Sequence, residues 1–168
     1  GATGAANFLA RALFPSEFRL LIKRFPEKPP TALVNSFKTA LADRAEGTIN
    51  ELLARPKVIT TTMEHHSNLL PWMEAVGHHN VIAARVVPDT GTLDMDDLAR
   101  ILAEHGETTR LVTVSAVSNV TGIVNPVHEI ARMAHAVGAE ILVDGAQWVP
   151  HARVVMHPGD RAQTIDYL

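Results

Sequence analysis

Residues 111–147 read LVTVSAVSNVTGIVNPVHEIARMAHAVGAEILVDGAQ, and the order of patterns in this stretch decides the fold. Residues 111–115 are a short run of apolar and β-branched side chains. Residues 127–137 carry apolar positions at helical spacing and stop at Gly138, and residues 140–144 form a second apolar run. A strand, a helix and a strand in that order imply a parallel crossover. Ile141, Leu142 and Val143 present apolar side chains on both sheet faces, as a central strand covered by helices on each side requires. The alternation extends outward from this unit. Further strands are expected at 57–63, 81–87 and 164–168, and further helices at 69–76 and 94–104. The fold class is therefore α/β, a three-layer sandwich around a mostly parallel sheet.

The first third of the chain has a different rhythm. Good helix formers fill residues 5–13, with Thr3 placed to cap their exposed amides. Pro15 ends that helix, Ser16 caps a short one through Phe18, Leu21 and Ile22, and Pro26, Pro29 and Pro30 make a loop that no helix crosses. Phe37, Leu41, Ala45, Ile49, Leu52 and Leu53 then recur at helical spacing, an amphipathic helix ending near Arg55 and Pro56.

Composition removes several function classes. The 168 residues include no cysteine, which excludes a disulfide scaffold, cysteine-ligated zinc or iron–sulfur sites and a thiol nucleophile within this stretch. The 15 basic residues are scattered among 18 acidic ones for a net charge of −3, so nucleic acid is not an expected partner. No apolar run approaches the roughly 20 residues that cross a bilayer, and the N-terminus lacks the zones of a signal peptide. No membrane partner and a cytoplasmic location are the expectations.

Ligands of parallel sheets collect beyond the carboxyl ends of the strands. Three such exits carry polar residues: Glu64-His65-His66-Ser67-Asn68, Ser118-Asn119-Val120-Thr121-Gly122 and Asp144-Gly145-Ala146-Gln147. Gly1-Ala2-Thr3-Gly4 adds a helix start whose amides, positive dipole end and hydroxyl suit an anion. Taken singly, each has a plainer reading. Thr3 is a helix cap, Asn119 shapes a turn, Asp144 caps the next turn, and His65 and His66 are half-buried and bonded to backbone. Together they supply a phosphate site, a planar ring partner and an acid, which is what pyridoxal phosphate requires.

The motifs Gly1-Ala2-Thr3, Glu64-His65-His66-Ser67-Asn68-Leu69-Leu70-Pro71-Trp72, Val117-Ser118-Asn119-Val120-Thr121-Gly122 and Val143-Asp144-Gly145-Ala146-Gln147 resemble, in order, those of the class V aminotransferase family. The cysteine desulfurase and selenocysteine lyase branch is the most similar. The resemblance implies the large cofactor domain of a fold-type-I pyridoxal-phosphate enzyme, an amino-acid substrate and a homodimer. It also implies roles. Ala2 and Thr3 would hold the phosphate, His65 would stack on the pyridine ring and help move protons, and Asn119 would lie near the ring oxygen and the substrate. Asp144 would pair with the pyridine nitrogen and Gln147 would hydrogen-bond the phenolic oxygen, while His66 receives no role. No metal is implied.

The family's Schiff-base lysine follows a Ser-Gly-His-type turn after a strand that here begins near Ile165. Lys23, Lys28, Lys38 and Lys57, the only lysines, lie in other contexts. Residues 1–168 are therefore expected to be part of one large domain, with a phosphate-binding helix at 1–14, a helical insertion at about 15–56 and an α/β core at about 57–168, inactive by themselves. Three features depart from the family pattern: Gly4 in place of glutamate, Trp148 in place of a small residue, and the length of the 15–56 segment.

Alternatives stay open at this level. A transaminase, epimerase or other lyase would share these motifs, and a non-catalytic interaction protein would keep the sheet without the lysine. A nucleotide-binding domain fares worse, since neither G-x-G-x-x-G nor G-x-x-x-x-G-K-[ST] occurs. A metal hydrolase is also disfavoured: adjacent histidines on one strand point apart, and His128-Glu129 leads to Arg132 where H-E-x-x-H needs histidine.

Overall fold

Four strands, rich in valine, isoleucine and threonine, form one sheet: β1 (Lys57–Thr61), β2 (Val81–Ala84), β3 (Thr109–Ser115) and β4 (Glu140–Asp144). Their spatial order is β2-β1-β3-β4 and every pairing is parallel. The helices α1 (Leu70–Val76), α2 (Met95–His105) and α3 (Val127–Ala136) lie between them along the chain. This is a computed structural model describing residues 56–168, so the helices read within residues 1–55 lie outside the described residues.

The two sheet faces bury different partners. On one, Ile59, Val112, Val114, Ile141 and Val143 pack against Leu98, Ile101 and Leu102 of α2 and Ile130, Ala131 and Ala134 of α3. On the other, Val58, Leu111 and Leu142 meet Trp72, Ala75 and Val76 of α1. Helices on both faces explain why β4 reads as an uninterrupted apolar run between polar ends. The α1 face changes character along the strands. Leu111 of β3 is followed on that face by Thr113 and then Ser115, and Leu142 of β4 by Asp144. Thr113 and Ser115 are both buried, and Ser115 is the register partner of Asp144. The sheet thus turns polar at its carboxyl edge.

Several strands stop earlier than their apolar patterns suggest, because side chains take over ladder amides. β2 was expected through residue 87 but ends at Ala84, where the Arg85 amide donates to the buried Asp97 carboxylate at 3.0 Å. That amide, followed by the Arg100 guanidinium, holds the Asp97 carboxyl below the usual carboxylate range. Val86 instead bridges Leu93 in antiparallel fashion across a turn closed by Gly91 at φ 70°. β1 ends at Thr61 rather than residue 63, with the Met63 amide turned onto Thr61 Oγ1 at 3.3 Å. The strand expected at 164–168 is reduced to a single parallel bridge, Leu142 to Tyr167. There Asp166 Oδ2 takes the Ile141 amide at 2.8 Å, where a strand would offer a carbonyl.

His135 of α3 ties this last segment down. Its Nδ1 lies 2.9 Å from the Ala162 carbonyl and its Nε2 lies 2.9 Å from Asp166 Oδ2. Both partners are acceptors, so both contacts are hydrogen bonds only when the ring carries two protons. Burial opposes that charge, but the Asp166 and Ala162 hydrogen bonds outweigh it and raise the His135 pKa above the usual histidine value. The stabilisation is complete below an unfolded-state pKa of about 6.5 and is lost as pH rises through the higher folded-state value. The melting temperature of the full-length protein is therefore expected to fall as pH is raised from about 6.5 through that value, and His135→Gln should flatten the decline. An unchanged slope in the variant, measured by thermal denaturation across this range, would refute the clasp.

Candidate active site

The carboxyl edge of the sheet opens into a cleft of about 210 Å³. Four residues singled out in the sequence meet there: His65 from the exit of β1, Asn119 from the exit of β3, and Asp144 and Gln147 from the end of β4 and the turn after it. Ser67 and Ser115 add hydroxyls, and Val117 and Ala146 give the lining its apolar part. Ala2 and Thr3 lie outside the described residues.

His65 is held by its own turn. It caps the 3-10 turn His66–Asn68, with Nδ1 accepting the Ser67 amide at 3.1 Å and lying 2.8 Å from Ser67 Oγ. An amide can only donate, so Nδ1 offers it a lone pair and the neutral ring carries its proton on Nε2. The two histidines lie beyond β1, as the strand-exit reading expects, and occupy the cap and first residue of the turn. Their rings are 6.3 Å apart and tilted by 43°.

Asp144 ends β4 with Oδ1 accepting the Ala146 amide at 3.0 Å, so the turn-capping reading holds for that oxygen. Its Oδ2 has no hydrogen-bond partner among the described residues and remains available to the cleft. At Gly145, which follows, a Cβ would lie 2.9 Å from Leu168 Cδ1 and 3.1 Å from Val149 Cγ2, the tips of two exposed side chains. Asn119 sits exposed in a loop organised by Ser118, whose Oγ accepts the Val120 and Thr121 amides at 3.3 and 3.2 Å. Gly122, at φ 72°, closes that loop by donating to the Ser118 carbonyl at 3.0 Å.

Beneath the cleft lies a polar network without an assigned role in the sequence reading. The Glu64 carboxylate accepts four hydrogen bonds. Oε1 takes Thr61 Oγ1 at 2.6 Å and the Ser115 amide at 2.9 Å, and Oε2 takes Asn68 Nδ2 and Ser115 Oγ, each at 2.7 Å. Burial raises the Glu64 pKa above the ordinary carboxylate value, and the four donors only partly offset it. Asn68 Oδ1 in turn accepts Thr113 Oγ1 at 2.7 Å and Trp72 Nε1 at 3.3 Å. Asn125 Nδ2 donates to the Ser115 carbonyl at 2.7 Å. Thr113 and Ser115 within a strand otherwise fit for burial were the available signal, because buried hydroxyls need partners.

Residues 38–160 match the family model for aminotransferase class-V. A cysteine desulfurase of Dickeya dadantii is 48% identical over 99 residues, covering 58% of this chain and 23% of that protein. A probable cysteine desulfurase of Synechocystis sp. is 41% identical over 104 residues, covering 61% of this chain and 24% of that protein. The crystal structure of the cysteine desulfurase CsdA from Escherichia coli is similar at a TM-score of 0.46 and 27% identity, over 55% of this chain and 23% of that one. The chain thus spans about a quarter of the length of these relatives. The family match takes in well over half of the residues, and the chain belongs to the aminotransferase class-V family.

Proposed function

We propose that the protein containing these residues is a pyridoxal-phosphate enzyme acting on a small amino acid, with removal of sulfur from cysteine, or selenium from selenocysteine, as its reaction. The observation that carries this reading is the meeting of His65, Asn119, Asp144 and Gln147, from three separate strand exits, at one cleft. The cysteine desulfurases among its relatives support the choice of reaction.

The donor set fits a flat, substituted pyridine. Such a ring needs an aromatic face, a carboxylate for its nitrogen and a neutral donor for its phenolic oxygen. The cleft offers the imidazole of His65, the Asp144 oxygen not engaged by Ala146, and the amides of Asn119 and Gln147. Ala2 and Thr3 are proposed for the phosphate on the family resemblance, as is a homodimeric, cytoplasmic protein. When bound, the cofactor supplies an electron sink for charge developing on the substrate. The chain's own contributions are narrower. With the cofactor bound, Asp144 would hold a proton on the ring nitrogen, His65 would lie against the ring and offer an Nε2 proton, and Asn119 and Gln147 would hydrogen-bond the ring oxygen.

Adding pyridoxal phosphate to the full-length protein is expected to give a visible absorption band that saturates with cofactor. Adding cysteine together with excess thiol reductant should then release alanine and sulfide, the departing sulfur atom taking two electrons from two thiols, which leave as a disulfide. Absence of the band would overturn the cofactor assignment, and formation of a keto acid without sulfide would replace desulfuration by transamination.

A further inference from the structure

Three segments of chain converge on one carboxylate. Glu64 receives Thr61 from the end of β1, Asn68 from the 3-10 turn and Ser115 from the end of β3. The direction of each bond is fixed. The Ser115 amide and Asn68 Nδ2 can only donate, and Asn68 cannot be flipped because its Oδ1 already serves Thr113 and Trp72. Thr61 Oγ1 receives the Met63 amide, which leaves its proton for Glu64. Position 64 is therefore read as an acceptor on both oxygens.

Ser115 is held from the other side as well. Its carbonyl accepts Asn125 Nδ2, and the Asn125 amide donates to the Ala116 carbonyl at 2.8 Å, closing the loop that bears Asn119. Glu64 directly precedes His65, whose ring is oriented within the same turn.

We propose that Glu64 is a positioning residue of the cleft: through Ser115 and Asn68 its carboxylate ties the β1 exit carrying His65 to the β3 exit carrying Asn119, and so sets the gap a planar ligand enters. The identity of that ligand rests on the cofactor reading above, whereas the tie stands on the polar contacts alone.

A swap of acceptor and donor tests this in the full-length protein. Glu64→Gln sets an amino group against a fixed donor whichever way its amide is turned, the Asn68 amino group on one side or the Ser115 amide on the other. Adding Asn68→Asp converts that clash into a donor–acceptor pair, with the carboxylate moved to position 68. Two quantities are measured: affinity for pyridoxal phosphate by absorbance titration, and hydrogen exchange of the Ser115 amide without cofactor. Glu64→Gln is expected to weaken cofactor binding and speed Ser115 exchange by about tenfold or more each, the loss of a charge-assisted hydrogen bond, with helical circular dichroism retained. The double variant should recover both quantities. Wild-type values for Glu64→Gln, or a double variant as impaired as the single one, would overturn the proposal. If Glu64→Gln does not fold, the double variant decides alone: recovery supports the tie, and failure to fold overturns it. A wild-type protein that binds no cofactor would sink the functional reading, while Ser115 exchange would still decide the role of Glu64.

Discussion

Asp144→Ala in the full-length protein is expected to lower turnover by at least about 100-fold, the scale of losing one preorganised electrostatic partner of the reacting group. The structural cost should be small. Asp144 is half-buried at the end of β4, and its one side-chain hydrogen bond among the described residues, accepted from the Ala146 amide, has a net worth of about 1 kcal/mol. Asp144→Asn separates charge from shape. It keeps an acceptor for Ala146 and the side-chain volume, but it cannot hold a proton on a pyridine nitrogen by ion pairing. Turnover in the asparagine variant should therefore fall nearly as far as in the alanine variant, while melting temperature stays near wild type. Steady-state rates and thermal denaturation of both variants check this. An asparagine variant with near-wild-type turnover would exclude the charge-pairing role.

The contrast between Asp144 and Glu64 marks how far the sequence could be read. Asp144 lies directly after an apolar run, so its place at a sheet edge followed from the strand pattern alone. The same holds for His65, Asn119 and Gln147, each within a few residues of a strand end. Glu64 was visible in its motif, yet its partner Ser115 is 51 positions away and the link exists only once β1 and β3 pair. Strand ends were misjudged for a related reason. Asp97 takes the Arg85 amide and Asp166 takes the Ile141 amide, and no local periodicity reveals a side chain standing in for a carbonyl. β4 came out as expected because both of its faces are buried, leaving an uninterrupted apolar run with polar ends. For Ala2, Thr3 and the helix at 36–53 the described residues offer no test.

Trp72→Ala is expected to lower the unfolding free energy by about 3–5 kcal/mol, the range for emptying a fully buried aromatic site. The side chain has no solvent exposure and fills the space between α1 and Val58, Leu111 and Leu142. Its neighbours on α1, Ala75 and Val76, are small, and the helix has only seven residues, so little can collapse into the void. The indole nitrogen also donates to Asn68 Oδ1 at 3.3 Å, connecting this core to the network under the cleft. Trp72→Phe keeps most of the apolar contact and removes that bond, so its cost should be nearer the roughly 1 kcal/mol of a single hydrogen bond plus a smaller cavity. Because Thr113 still holds Asn68, the phenylalanine variant should retain a well-formed cleft. Urea denaturation followed by circular dichroism gives both values. A loss below about 1 kcal/mol for Trp72→Ala, the typical size for an unremarkable substitution, would mean that α1 does not seal this face of the sheet.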